Sequence, residues 1–213
     1  MEKVISIGKQ NFESLMENHY FFVDKSHFIK DWWENGDEIT LITRPRRFGK
    51  TLNMSMLDCF FSNKYAARGD LFEGLVVWKE EQYRELQGTY PVIFLSFAAV
   101  KADQFLEAKI QIKQQIARVY EENRFLLDGD LLSANEKKTY DDVSQHMGDA
   151  EAAAALNNMS MYLARYYGRR VIILLDEYDT PMQEAYVHGY WAEFTTFMRS
   201  LFNATFKTNP YLE

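Results

Sequence analysis

The chain has 213 residues, 47% of them hydrophobic and 26% charged, with a formal net charge of -7. That length suits one domain, or one domain and part of another, and the composition is that of a globular protein rather than a disordered or fibrous one. The acidic balance excludes a broad basic footprint for nucleic acid, one cysteine excludes an internal disulfide, and no apolar run reaches the roughly 18 residues that span a bilayer. Met1-Glu2-Lys3-Val4 lacks the apolar stretch of a signal peptide, so a reducing cytoplasm and no membrane partner are expected.

In chain order, Phe12 to Met16 reads as a short helix, Tyr20 to Val23 as an extended aromatic piece, and Phe28 to Glu34 as a second helix stopped near Asn35-Gly36. Ile39-Thr40-Leu41-Ile42-Thr43 is β-branched and apolar, the pattern of a buried strand. Lys50 to Ser62 is rich in Leu, Met and Phe and predicts a helix packed against a sheet. Pro91 to Phe97 predicts a second strand, and Ala102 to Leu127 a long helix with Phe105, Ile112, Ile116, Val119 and Tyr120 at helical spacing. The uneven charged stretch from Leu127 to Asp149 predicts a surface excursion with little fixed structure. Ala150 to Tyr167 predicts a helix opened by an alanine cluster, Val171 to Leu175 a strand buried on both faces, and Tyr190 to Phe206 a final helix. Alternating strands and helices of this kind predict an α/β fold with a mainly parallel sheet between helical layers.

Two constellations carry chemistry. Arg44-Pro45-Arg46-Arg47-Phe48-Gly49-Lys50-Thr51 follows an expected strand and opens a helix, the context of a phosphate loop. A helix N-terminus offers unpaired N–H groups and a partial positive charge. Gly49 lets backbone approach a phosphate, Lys50 can reach the β- and γ-phosphates, and the Thr51 hydroxyl can ligate Mg2+. Arg44 stands where the usual pattern has its first glycine, so the loop enters by another path, with Pro45 fixing its own φ. Further on, Leu174-Leu175-Asp176-Glu177 ends an apolar strand in two carboxylates. Asp176 suits Mg2+, and Glu177 suits the role of general base on an attacking water. An acidic pair can also simply mark the end of a strand, and a Gly-Lys-Thr can open any helix; it is the two together, in this order, that point to a P-loop nucleoside-triphosphate fold.

Around these, Asp179 is expected to cap the segment that starts at Thr180-Pro181 rather than to assist a metal. Ser96 is expected to be an ordinary strand-end hydroxyl, although it faces the edge where ligands gather. His19, His27, His146 and His188 share no metal-ligand spacing with one another or with Cys59, itself expected as a small buried residue. Arg169-Arg170 precede a strand, at the wrong end for an arginine finger in the same subunit.

The stretches Phe22-Val23-Asp24-Lys25-Ser26, Arg44 to Leu52, Tyr90-Pro91-Val92-Ile93 and Leu175-Asp176-Glu177-Tyr178-Asp179-Thr180-Pro181 resemble the bacterial AAA-ATPase-like family, from about Phe12 to the C-terminus. The Arg-Pro-Arg-Arg-Phe-Gly-Lys-Ser/Thr loop is distinctive of that group, in which Arg is normal at the place of the first glycine. The resemblance implies a P-loop fold of the additional-strand (ASCE) type. It implies ATP and Mg2+ as ligands, with Pro45, Arg46, Arg47, Phe48, Gly49, Lys50, Thr51 and Leu52 around the nucleotide, Thr51 and Asp176 on the metal, and Lys50 and Glu177 in catalysis. Residues 1–36 are then a lead-in and 37–213 the core of one ATPase domain.

Family members are usually longer, with a sensor strand, a helical part and commonly a nuclease-like domain of the PD-(D/E)XK type. The implied sheet places a fourth strand, following Asn209-Pro210, between the first and the third. A chain cut before that strand is therefore expected, with weak hydrolysis on its own and with nucleic acid met only through such a further domain. The expected function is Mg2+-dependent ATP hydrolysis that switches the conformation of an attached effector. A nucleotide-binding regulatory module without turnover is the alternative, a small-molecule kinase is disfavoured by the Asp176-Glu177 pair, and a homo-oligomer is left open.

Overall fold

The computed structural model describes residues 4–43, 48–207 and 209–213, and the chain divides into two units, 1–92 and 93–213. In the first, α1 (Phe12–Glu17) starts at Asn11, whose Oδ1 accepts the Ser14 N–H at 2.7 Å, a side-chain cap. α2 (His27–Asn35) stops at Gly36, which takes the left-handed conformation that suits glycine at a helix end. α3 (Lys50–Phe61) turns Met56, Leu57, Phe60 and Phe61 into the core. Three short 3-10 turns and α4 (Glu81–Leu86) complete the unit.

The core of this unit is aromatic. Phe60 meets Phe61 and Phe72 edge-on at 5.0 and 5.2 Å between ring centroids, Phe12 stacks on Phe72 at 5.2 Å, and Trp33 lies 5.3 Å from Phe61. Each such pair contributes about 0.5–1.5 kcal/mol beyond the area it buries. Cys59 is buried in the same core, and burial, with the nearby charges of Asp58 and Glu13, pushes its thiol up to about 12. The Phe12 N–H donates to Ser55 Oγ at 2.9 Å, which ties α1 to α3.

The Asp24-Lys25-Ser26 stretch has a structural task. Asp24 accepts the N–H groups of Ser26 and Val76 at 2.8 Å each, and the fully buried Ser26 hydroxyl accepts the Val77 N–H at 3.1 Å. Burial works against the Asp24 charge, but these hydrogen bonds outweigh it and hold the carboxyl below its ordinary value.

The expected strand over Ile39–Thr43 is not formed. Those residues have no regular structure, Ile39 and Leu41 are 69% and 63% exposed, and Trp32 Nε1 donates to Thr40 Oγ1 at 3.1 Å. Among the described residues no strand pairs with this stretch. A strand without a neighbour leaves its ladder groups unpaired, and β-propensity does not offset that.

In the second unit, β1 (Val92–Ser96, its first residue being the last of the first unit) pairs with β2 (Ile172–Asp176) in a small parallel sheet. The sheet therefore has two strands where three were expected. β2 buries Ile172, Leu174 and Asp176, while Ile173 and Leu175 stay half-buried, so it is covered less evenly than its apolar run predicts. Parallel strands need a long crossover, supplied by α5 (Phe105–Glu122), α6 (Ala134–Asp141) and α7 (Asp149–Tyr167). α8 (Asp179–Val187) and α9 (Trp191–Phe202) follow β2, and α9 runs into a π turn, Asn203–Lys207. At the chain's end, Val171 N–H donates to Tyr211 O at 2.7 Å and Glu213 N–H to Val171 O at 3.1 Å, a parallel bridge between Val171 and Leu212. Asp176 O accepts from Phe97 N–H on the β1 side, and Val171, of opposite parity, sends its groups to the other edge.

Ile112, Ile116, Val119 and Tyr120 of α5 share one core cluster with Ala152, Ala155, Leu156, Met159 and Leu163 of α7. Tyr120 O–H donates to Ala155 O at 2.7 Å. The stretch between these helices is more ordered than its charge suggests. Leu132, Tyr140 and Met147 are buried, and Ser133 and Glu136 form a reciprocal capping box that starts α6. Its far end is held by Lys113, buried, which donates to Met147 O at 2.6 Å and Asp149 Oδ1 at 2.8 Å, while Lys109 reaches Asp149 Oδ2 at 2.7 Å. Charged residues here mark a ligated loop, not a loose one.

Ser133→Ala removes the cap of α6 and is expected to cost about 1 kcal/mol, read as faster amide exchange confined to α6. At Gly88 φ is +69°, its N–H donates to Phe60 O at 2.7 Å, and an added Cβ would fall on the Cα of Ala66. Gly88→Ala should therefore destabilise the first unit by more than about 1 kcal/mol in denaturant melts. Asp149 carries a pH signature. Burial opposes its charge, but the hydrogen bonds from Lys109 and Lys113 prevail and lower its pKa. A carboxyl lowered on folding contributes stability that is full above its unfolded pKa and is lost as pH falls through the folded one. Asp149→Asn should lower stability at neutral pH by about 1 kcal/mol, allowing for its half-exposed side chain. That gap should begin to narrow as pH falls below about 4 and go on closing on further acidification, as a series of melts through that range would show.

Candidate functional site

The start of α3 gathers one half of the expected site. Gly49 is its N-cap, left-handed at φ 75° and ψ 24°, where a β-carbon would be strained. Gly49 offers no side chain to cap this end, and no acidic residue sits in the first turn. Among the described residues, no side-chain acceptor meets the leading N–H groups and the positive end of the helix dipole, the makings of an anion site. Lys50, Thr51 and Leu52 are half-buried in the first turn, and Phe48 before them is exposed. Among the described residues, Lys50 has no carboxylate partner. The expectations for Arg44, Pro45, Arg46 and Arg47 lie outside the described residues.

The carboxyl ends of β1 and β2 gather the other half, within the second unit. The Phe97 N–H donates to Asp176 O at 3.0 Å, so Ser96 and Asp176 end their strands side by side. Asp176 is buried at 5% exposure, and the chain leaves it through Glu177 at φ 54°, a left-handed conformation that is uncommon for any residue with a β-carbon. Ser96 Oγ accepts the Ala98 N–H at 3.4 Å, the strand-end role expected of it.

Asp179 does not cap α8. It is the first residue of the helix, Tyr178 holds the cap position without a side-chain bond, and Gln183 Nε2 donates to Asp179 Oδ2 at 3.1 Å. A carboxylate in the first turn still favours the helix dipole, and Pro181 is tolerated there because the N–H it lacks would have no partner. The sequence reading passed over Thr180. It is buried at 8% exposure, its N–H donates to Glu177 O at 3.1 Å, and its hydroxyl donates to Glu177 Oε2 at 3.1 Å. The available signal was a threonine three residues after a glutamate at a helix start, a reversed capping pattern. The left-handed turn that makes it meaningful is not written in a glutamate.

Thr51 and Asp176 offer hydroxyl and carboxylate oxygens, the hard donors that Mg2+ prefers. Among the described residues no group of three or more His, Cys, Asp or Glu side chains could hold a metal by itself. A magnesium ion at a phosphate loop needs no such cluster, because phosphate and water oxygens complete its shell. Among the described residues, no helix is long and apolar enough to cross a membrane.

The model of the AAA-ATPase-like family, described as "Predicted AAA-ATPase", matches residues 6–213. A curated protein of Azotobacter chroococcum mcd 1, named "Uncharacterized protein in vnfD 5'region", is 30% identical over 183 residues, covering 84% of this chain. The chain spans 30% of that protein's length. No solved structure matches. With that match over nearly its whole length, the chain belongs to the AAA-ATPase-like family, a membership that supports nucleotide binding in general.

Proposed function

We propose that this chain binds ATP with Mg2+ and hydrolyses it, and that hydrolysis switches the conformation of an attached effector. The observation that carries this reading is the start of α3: a helix end entered through left-handed Gly49, which has no side chain to cap it, with Lys50 and Thr51 in the first turn. Its place in an AAA-ATPase-like sequence supports ATP as the ligand. In this reading the helix N–H groups and Lys50 bind the phosphates, with Pro45, Arg46, Arg47, Phe48 and Leu52 around the nucleotide. Thr51 and Asp176 hold Mg2+, which, when bound, neutralises charge on the phosphate oxygens. Glu177 takes a proton from the attacking water and so acts as general base. The chain is the P-loop core of a three-layer α/β/α domain of the additional-strand type. Nucleic acid, if it is the effector's substrate, is met outside this segment, whose net charge is -7.

Two substitutions separate binding from turnover. Lys50→Ala should lower the affinity for a fluorescent ATP analogue with Mg2+ by at least about tenfold, the loss of one charge-assisted contact. Glu177→Gln should keep that affinity and slow phosphate release by roughly a hundredfold or more in the full-length protein. An analogue affinity that Lys50→Ala leaves unchanged would overturn the reading. Tight binding without phosphate release by the wild type would instead make the chain a nucleotide-binding regulatory module.

A further inference from the structure

The Thr180 hydroxyl, on α8, donates a hydrogen bond to the carboxylate of the proposed base. We infer that Thr180 is a positioning residue for hydrolysis, its hydroxyl holding the Glu177 carboxylate in the orientation that accepts a proton from water. The inference rests on the reading of Glu177 as general base, and it adds a residue to which nothing else assigns a role.

Three observations carry it. The first is the pairing itself, Thr180 Oγ1 to Glu177 Oε2 at 3.1 Å, made by a hydroxyl on a residue 8% exposed. A buried side chain on a helix has few rotamers to choose from, so its donor direction is fixed. The second is the backbone of Glu177. At φ 54° it sits in a conformation that costs about 1–3 kcal/mol for most residues and persists only where surroundings enforce it. Here Thr180 enforces it twice, through its N–H to Glu177 O at 3.1 Å and through its hydroxyl. The third is direction. β2 delivers Asp176 buried at the strand end, and without the left-handed turn the next side chain would leave on the opposite face of the strand.

The chemistry follows from the two oxygens of a carboxylate. Donation by Thr180 to Oε2 occupies one and fixes the plane of the group, and Oε1 is then the oxygen that accepts the proton. Thr180 neither gains nor loses a proton in the cycle; it lowers the number of carboxylate orientations from which transfer fails. Misplacing a general base by a fraction of an ångström slows transfer strongly while leaving ground-state binding alone. A hydroxyl whose only task was to close the first turn of α8 would affect folding instead.

The test uses the full-length protein with Thr180→Val, which keeps the shape and loses the donor, and Thr180→Ser, which keeps the donor. Thr180→Ala stands in should the valine variant fail to fold. Each is measured for kcat and KM in ATP hydrolysis, for affinity towards a fluorescent ATP analogue, and in combination with Glu177→Gln. Thr180→Val is expected to lower kcat by roughly 10–100-fold, with KM and analogue affinity within about twofold of wild type. Thr180→Ser should restore most of the loss, and Thr180→Val should add nothing to Glu177→Gln, since both act on the same group. Wild-type kcat in Thr180→Val beside an inactive Glu177→Gln overturns this inference and leaves the hydrolysis reading standing. Full activity in Glu177→Gln removes both. A kcat loss that adds in full to that of Glu177→Gln, or a loss in affinity instead of kcat, assigns Thr180 a structural role and overturns the inference.

Discussion

The parallel pairing of β1 with β2 is the contact on which the second unit depends. Two parallel neighbours cannot be joined by a tight turn, so the chain must leave Ser96, cross the sheet through α5, α6 and α7, and return at Val171. That excursion is what builds the core, because α5 and α7 bury their apolar faces together on the way. The same pairing puts both strand ends at one edge, joined by the Phe97 N–H on Asp176 O. In open α/β sheets that edge is where ligands are met, so the topology and the placing of Asp176 are one constraint rather than two.

Elements with a strong local signal were legible. The uninterrupted alanines of α7, the Asn35-Gly36 stop of α2 and the Gly49-Lys50 start of α3 each carry their own chemistry, and each forms where that chemistry places it. Elements that depend on a partner were not. Ile39–Thr43 has the composition of a strand and no strand beside it. The loop around α6 looks loose by charge, but it is held by Lys113, whose partners Met147 and Asp149 lie far away in sequence. For α8 the start was misplaced, because Asp179 was expected to cap a segment opening at Thr180-Pro181, whereas Asp179 is itself the first residue of the helix and proline fits its first turn. At the start of α3, a helix opening at Lys50 behind Gly49 was readable from type and order. The geometry at Glu177 was not, since it goes against the residue's own preference.

Conflict between a local preference and the fold is informative. A sequence free of function would put glycine or asparagine at position 177, where left-handed backbone is cheap. A glutamate there, between a buried aspartate and a helix whose third-next residue bonds back to it, is the conflict on which the proposed role of its side chain rests. By contrast, Asp24 and Ser26, equally distinctive in sequence, spend their polar groups on the N–H groups of residues 76 and 77. Of these two motifs, then, one shapes the scaffold and the other carries the residues of the proposed chemistry.

The chain's single cysteine lies in the aromatic core of the first unit, and the second unit has none. With its thiol pushed up to about 12 and its side chain shielded, Cys59 is a poor nucleophile while the core is closed. Thiol-directed reagents consequently see it only when that core opens. Alkylation kinetics at this one atom then amount to a clock for the opening of the first unit alone, supplied by the natural sequence without any engineered label.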